Sequence, residues 1–122
     1  MKRILIVDDD GDMRAIYRYM LGGEAAGYDL RFARDGLQAL RMLARKPADL
    51  VISDVIMKSM DGMTFVRRLR EGGFSAPVLV VSVLKREMLP GARGAKRVYF
   101  MEKPVTPHGL RGALRRILAA GR

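Results

Sequence analysis

A chain of 122 residues, 49 % of them apolar, is long enough for one hydrophobic core and too rich in apolar residues for disorder. No apolar run approaches the ~18 residues of a membrane span, and the lack of cysteine excludes a disulfide framework and a thiolate metal site. The net charge of +10 is uneven, because residues 85–122 hold 10 of the 23 Lys and Arg but only 2 of the 13 Asp and Glu, a bias that concerns partners more than folding.

The start, Met1-Lys2-Arg3 before Ile4 to Val7, lacks the ~7 or more apolar residues of a secretion signal and runs into Asp8-Asp9-Asp10. A cytoplasmic protein without membrane contact is expected. Arg3 to Val7 reads as a strand buried on both faces, since its apolar residues are successive rather than alternating. Asp12 is the expected cap of a helix from about Met13 to Leu21, with Ile16, Met20 and Leu21 inward and Gly22-Gly23 as its stop. Tyr28 to Ala33 alternates, as an edge strand does. Asp35 should cap a helix through about Arg45, with Leu37, Leu40, Met42 and Leu43 facing the core and Pro47 ending the segment.

Asp49 to Ser53 is the third strand, and it runs into Asp54. Met63 to Arg70 reads as a helix with Phe65, Val66 and Leu69 inward and Gly72-Gly73 after it. Pro77 to Ser82 and Arg97 to Met101 are further strands, and His108 to Ala120 is a final helix carried by Leu110, Leu114, Ile117 and Leu118. Between Leu84 and Lys96 a helix fits the periodicity, but Pro90, Gly91 and Gly94 oppose more than a turn or two. Strands alternating with helices make five βα units, an α/β class and a parallel sheet. The chain ends one helix after the last strand, so a single domain over residues 1–122 with no output domain is expected.

In a parallel sheet the carboxyl ends of the strands share one edge. Asp8 and Asp9, Asp54, Ser82 and, just past the last strand, Lys103 should therefore meet there. Taken singly, the aspartates suit a solvated turn and cap, Ser82 a strand-end hydroxyl and Lys103 a surface charge; together they favour a site. Like carboxylates at ~4 Å repel by roughly 4 kcal/mol at an effective dielectric near 20, a cost that a hard divalent cation removes. Few oxygen ligands with room for water suit Mg²⁺. A lysine and a hydroxyl beside it can hold phosphoryl oxygens, so the chemistry suggested is phosphoryl transfer to a carboxylate.

The ordered stretches Ile4 to Asp9 (ILIVDD), Asp49 to Gly62 (DLVISDVIMKSMDG), Pro77 to Ser82 (PVLVVS) and Lys103-Pro104 resemble the response-regulator receiver domain of two-component signalling, in its stand-alone single-domain type. The resemblance covers essentially the whole chain. It implies a flavodoxin-like doubly wound five-stranded sheet of order 2-1-3-4-5, here with a shortened or irregular fourth helix. It implies that Asp54 accepts a phosphoryl group from a histidine kinase or phosphotransfer protein. Asp9, Asp54 and the Ile56 backbone carbonyl would bind Mg²⁺, with Asp8 assisting through water. Lys103 would pair with the phosphoryl oxygens, and Ser82 would swing toward them while Phe100 turns inward as a switch. Core packing alone would also place an aromatic at Phe100. On this reading the protein is an enzyme only toward its own phosphorylation and dephosphorylation.

Several positions depart from the family's usual residues. Lys58 stands where proline is usual, which suggests a less rigid loop after Asp54. Val83 replaces a small residue after the switch serine, and Ile56 and Leu84 are apolar where the family modulates the attacking water; slow hydrolysis is expected. The family's partner face falls on the basic end, at Lys85, Arg86, Arg93, Lys96, Arg97, Arg111, Arg115 and Arg116. A solvated face would have the same composition. The excess of charge favours an acidic protein target. An alternative is an anionic nucleotide messenger, such as a cyclic dinucleotide, on the loop Gly91 to Arg97. Nucleic-acid binding has no recognition helix or stacking platform behind it, and nothing forms the substrate pocket of a small aspartyl phosphatase. The lone His108 is without metal-site partners.

Overall fold

The central strands are apolar at successive positions because both faces of their sheet are covered. Ile4–Val7, Leu50–Ile52 and Val78–Val81 are buried throughout. The computed structural model describes residues 1–23, 27–89, 91 and 95–120. In chain order it contains β1 (Lys2–Val7), α1 (Gly11–Leu21), β2 (Tyr28–Ala33), α2 (Gly36–Arg45), β3 (Leu50–Asp54), α3 (Gly62–Glu71), β4 (Val78–Ser82), a single 3₁₀ turn (Arg86–Met88), β5 (Val98–Glu102) and α4 (Pro107–Ala120). All four strand pairings are parallel and the order is β2-β1-β3-β4-β5, the flavodoxin-like arrangement. No described helix is long and apolar enough to cross a membrane.

Alternate residues of the central strands feed opposite cores. Leu5, Val7, Val51, Val78 and Val80 pack with Ala39 of α2 and with Phe65, Val66 and Leu69 of α3. Ile4, Ile6, Leu50, Ile52, Leu79 and Val81 pack with Tyr17, Met20 and Leu21 of α1 and with Leu110, Leu114 and Ile117 of α4. The register sets Val7 beside Ser53, Asp54 beside Val81, and Ser82 beside Glu102, so the strands end at one level.

Several local expectations are corrected. Asp10, not Asp12, caps α1: its side chain accepts from the Asp12 N–H, and the helix begins at Gly11. The buried stripe runs through Tyr17, Met20 and Leu21, and its edge passes Ile16, which is 45 % exposed. Leu37 likewise lies outside the α2 stripe, where Gly36 and Ala39 make the close approach. A Cβ on Gly36 would meet the Met60 sulfur at 2.9 Å and the Phe65 ring at 3.3 Å. Asp35 and Asp61 cap α2 and α3 through the N–H groups of Gln38 and Thr64. The Thr64 N–H, with the Thr64 hydroxyl beside it, holds the Asp61 carboxyl below its ordinary value.

Between β4 and β5 the described residues form only the 3₁₀ turn, and Gly91 adopts φ +77°. They therefore contain four α-helices rather than the five of a full set of βα units. Pro90, Arg93 and Gly94 lie outside the described residues. Arg97 precedes β5 instead of starting it; its φ of +54° is left-handed, and its guanidinium donates to the Ser75 carbonyl at 2.9 Å.

Arg70 fastens this end of the sheet. Its guanidinium donates to the carbonyls of Phe74 and Ala76 at 2.8 Å, and to those of Lys96 and Arg97 at 3.1 and 3.3 Å. Burial, and then the neighbouring Arg97 charge, lower its pKa from the ordinary arginine value. Arg70→Ala is expected to lower stability by about 2 kcal/mol in urea unfolding, because several carbonyls lose a charged donor together. Arg70→Lys should recover only part of this, since an ammonium lacks the planar fork.

Candidate functional site

Asp54 is the last residue of β3, and its side chain is 12 % exposed. Its Oδ2 lies 3.3 Å from Lys103 Nζ and its Oδ1 accepts from the Val55 N–H at 2.8 Å. Lys103 is brought there by β5: its own N–H donates to the Ser82 carbonyl at 2.8 Å, which ties the ends of β4 and β5 together. The start of α3 crowds the other side. Gly62 donates its N–H to the Val55 carbonyl at 2.7 Å, and a Cβ there would collide with the Asp54 carbonyl oxygen and Val55 Cα.

Asp8 is fully buried at the end of β1. Its Oδ1 accepts from the Asp10 N–H at 2.9 Å, while Oδ2 has no partner. Burial is the main cause that raises its pKa; the Asp10 N–H opposes it, the charges of Asp54 and Asp9 add to it, and Lys103 offsets them in part. An orphaned carboxylate oxygen among further carboxylates is a donor set that a cation completes. The residues present thus fit a hard divalent ion. Among the described residues, however, no three His, Cys, Asp or Glu side chains already converge on one point. Asp54 is turned to Lys103, and Asp9 Oδ2 accepts the backbone N–H of Lys58 at 2.9 Å.

Ser82 is buried, and its Oγ accepts from the Leu84 N–H at 2.9 Å, so it belongs to its own loop. Phe100 is half-buried, with the Arg86 guanidinium 5.0 Å from its ring centroid. Ser82, Leu84, Arg86 and Phe100 share the lining of a cleft of about 310 Å³. Ile56 and Val83 are 60 % and 64 % exposed on the loops after β3 and β4.

The basic end divides into two groups. Arg86 stacks on Phe100, Arg97 holds Ser75, and Arg111 Nε donates to the Met20 carbonyl at 2.9 Å. Lys85, Lys96, Arg115 and Arg116 are exposed, as is His108; Arg93 lies outside the described residues. Sequence reasoning missed the amide of Lys58 and also Arg14, whose guanidinium donates to the Asp8 carbonyl at 2.7 Å. The departure at residue 58 was a signal for the first; Arg14, on an amphipathic helix, offered none.

The model of the response regulator receiver domain matches residues 4–115. The chain belongs to this family. This receiver is 41 % identical over 80 residues to the response regulator MprA of Mycobacterium leprae, a match that spans 66 % of the chain and 34 % of MprA. It is 33 % identical over 120 residues to the sensor histidine kinase TmoS of Ectopseudomonas mendocina, across 96 % of the chain and 12 % of TmoS. The receiver thus spans about a third of the first relative and far less of the second. Among solved structures, the chemotaxis response regulator CheY4 of Vibrio cholerae superposes with a TM-score of 0.86 at 29 % identity, covering 96 % of this chain and 98 % of that one.

Gly62→Ala tests how the start of α3 seats Asp54. The added methyl should destabilise the receiver by about 2 kcal/mol in urea unfolding and shift the backbone resonances of Asp54 and Val55.

Proposed function

We propose that this receiver is a phosphorylation switch in which Asp54 accepts a phosphoryl group from the phosphohistidine of a histidine kinase or phosphotransfer protein. The observation that carries the reading is the 3.3 Å approach of Lys103 to Asp54, beside a buried carboxylate oxygen with no partner. A carboxylate oxygen of Asp54 attacks phosphorus, the P–N bond breaks, and the released imidazole takes a proton from solvent. Lys103 screens the developing charge, and Asp8 and Asp9 set the negative field that a cation offsets. Asp9, Asp54 and the Ile56 carbonyl would hold Mg²⁺, with Asp8 through water. When bound, the ion neutralises charge on the phosphoryl oxygens. A cytoplasmic location belongs to this reading, because the phosphoryl group originates in cellular ATP.

The modified Asp54 offers oxygens that the Ser82 hydroxyl can donate to. Turning toward them, Ser82 gives up the Leu84 N–H, and the loop carrying Arg86 loosens over Phe100. The cleft beside these residues gives the ring room to move. The rearranged surface carries Lys85 and Lys96, with Arg115 and Arg116 on α4, and suits an acidic protein target. The nucleotide alternative is less favoured, since the Arg97 guanidinium is already committed to the Ser75 carbonyl.

Intact-protein mass spectrometry after exposure to a small phosphodonor and Mg²⁺ should show one phosphoryl adduct, absent in Asp54→Ala. No adduct in the parent, or an adduct that survives the substitution, would overturn the proposal. The apolar, exposed Ile56 and Leu84 offer no group to orient a hydrolytic water, so the adduct should persist. Ile56→Asn should shorten its lifetime several-fold, followed by loss of the adduct with time; an unchanged lifetime refutes this part.

A further inference from the structure

The outward face of α2 gathers three arginines around a leucine. Leu37 lies outside the buried stripe of the helix and is 47 % exposed. Arg34, Leu37, Gln38, Arg41, Met42 and Arg45 share the lining of a cleft of about 370 Å³. Residues 36–48 contain no Asp or Glu. Among the described residues, only Arg34 of the three arginines has a carboxylate within ion-pair distance, Asp35 at 3.9 Å. That carboxylate already accepts the Gln38 N–H at 2.7 Å as the cap of the helix.

The fold does not account for this arrangement. Arg14, Arg70 and Arg111 donate to backbone carbonyls; among the described residues the guanidiniums of Arg34, Arg41 and Arg45 do not. Arg45 stands in the last turn, where the helix dipole favours a cation, but Arg34 precedes the first turn, where the dipole opposes one. Arg41 and Arg45 are four residues apart, a spacing at which like charges weaken a helix. That spacing is about 6 Å along the axis, and carboxylates at i and i+4 of a facing helix repeat it. Guanidinium and carboxylate would then meet as planar forks. A nucleic acid could satisfy the arginines but would leave Leu37 without an apolar neighbour.

We propose that this face docks an acidic amphipathic helix of a partner protein, with carboxylates on Arg41 and Arg45 and an apolar side chain over Leu37. α2 packs on β1, β2 and α3, and β2 is the edge of the sheet opposite to β5. The docking face is therefore separate from the basic end, and it stands independently of the role given to Asp54.

The probe is a fluorescein-labelled synthetic helix of about three turns, with glutamates at i and i+4 on either side of a leucine. Its binding to the receiver is followed by fluorescence anisotropy at physiological ionic strength, where diffuse attraction between exposed charges is screened. Arg41→Gln/Arg45→Gln should weaken binding roughly tenfold. Leu37→Ser, which keeps every charge, should weaken it several-fold. Lys2→Gln/Arg67→Gln removes two exposed cations outside the cleft and should leave the affinity unchanged. NMR shifts on titration with the same helix should be largest from Leu37 to Arg45. No binding, equal losses in the two double variants, or shifts centred on α4 overturn the proposal. An oligothymidine that binds the same residues, while the probe is indifferent to Leu37→Ser, also overturns it and makes the face a nucleic-acid site.

Discussion

Lys103 and Asp54 lie 49 residues apart and meet at 3.3 Å because four parallel strands end at one level of the sheet. That alignment is what the rest of the site depends on. It also gathers Asp8 and Asp9 at the same edge, where Asp8 is fully buried and its carboxyl is pushed toward the neutral form. Hydrophobic packing of both sheet faces supplies the free energy that holds such like charges together, and Lys103 offsets only part of their repulsion.

The groups that would report a change of charge at this edge are already tied to one another. Ser82 Oγ holds the Leu84 N–H, the following turn carries Arg86, and Arg86 covers Phe100. The connection is short because a single 3₁₀ turn occupies the described part of the β4–β5 segment. A turn of three residues has few internal hydrogen bonds to resist displacement. In contrast, the opposite end of β4 and β5 is fastened by Arg70 to four carbonyls.

The side chains of the basic end differ in what they touch. Arg86, Arg97 and Arg111 are spent within the fold, on a ring face and on two backbone carbonyls. Each is bound through an acceptor that carries no formal charge, so composition could not tell them from Lys85, Lys96 and Arg115, although all six are exposed. Arg97 also keeps a left-handed backbone at the entry to β5.

Much of the fold was legible in the residues. Unbroken apolar runs in β1, β3 and β4 report burial on two faces, and the polar residues that end them report a shared edge, because both patterns follow from local chemistry and the pleat of a strand. The ordered motifs then named the family and the strand order. Caps and helix faces were less secure: Asp10 and Asp12 are chemically alike, and only the entry angle of the chain chose Asp10. The same docking angle buried Tyr17 and left Ile16 at the edge. Lys58 marks the boundary most plainly. The sequence by itself determined that residue 58 carries an amide hydrogen, which a proline there would lack; only the tertiary structure decided that the hydrogen points at Asp9, since a contact across 49 residues depends on how two loops are set by the strands beneath them.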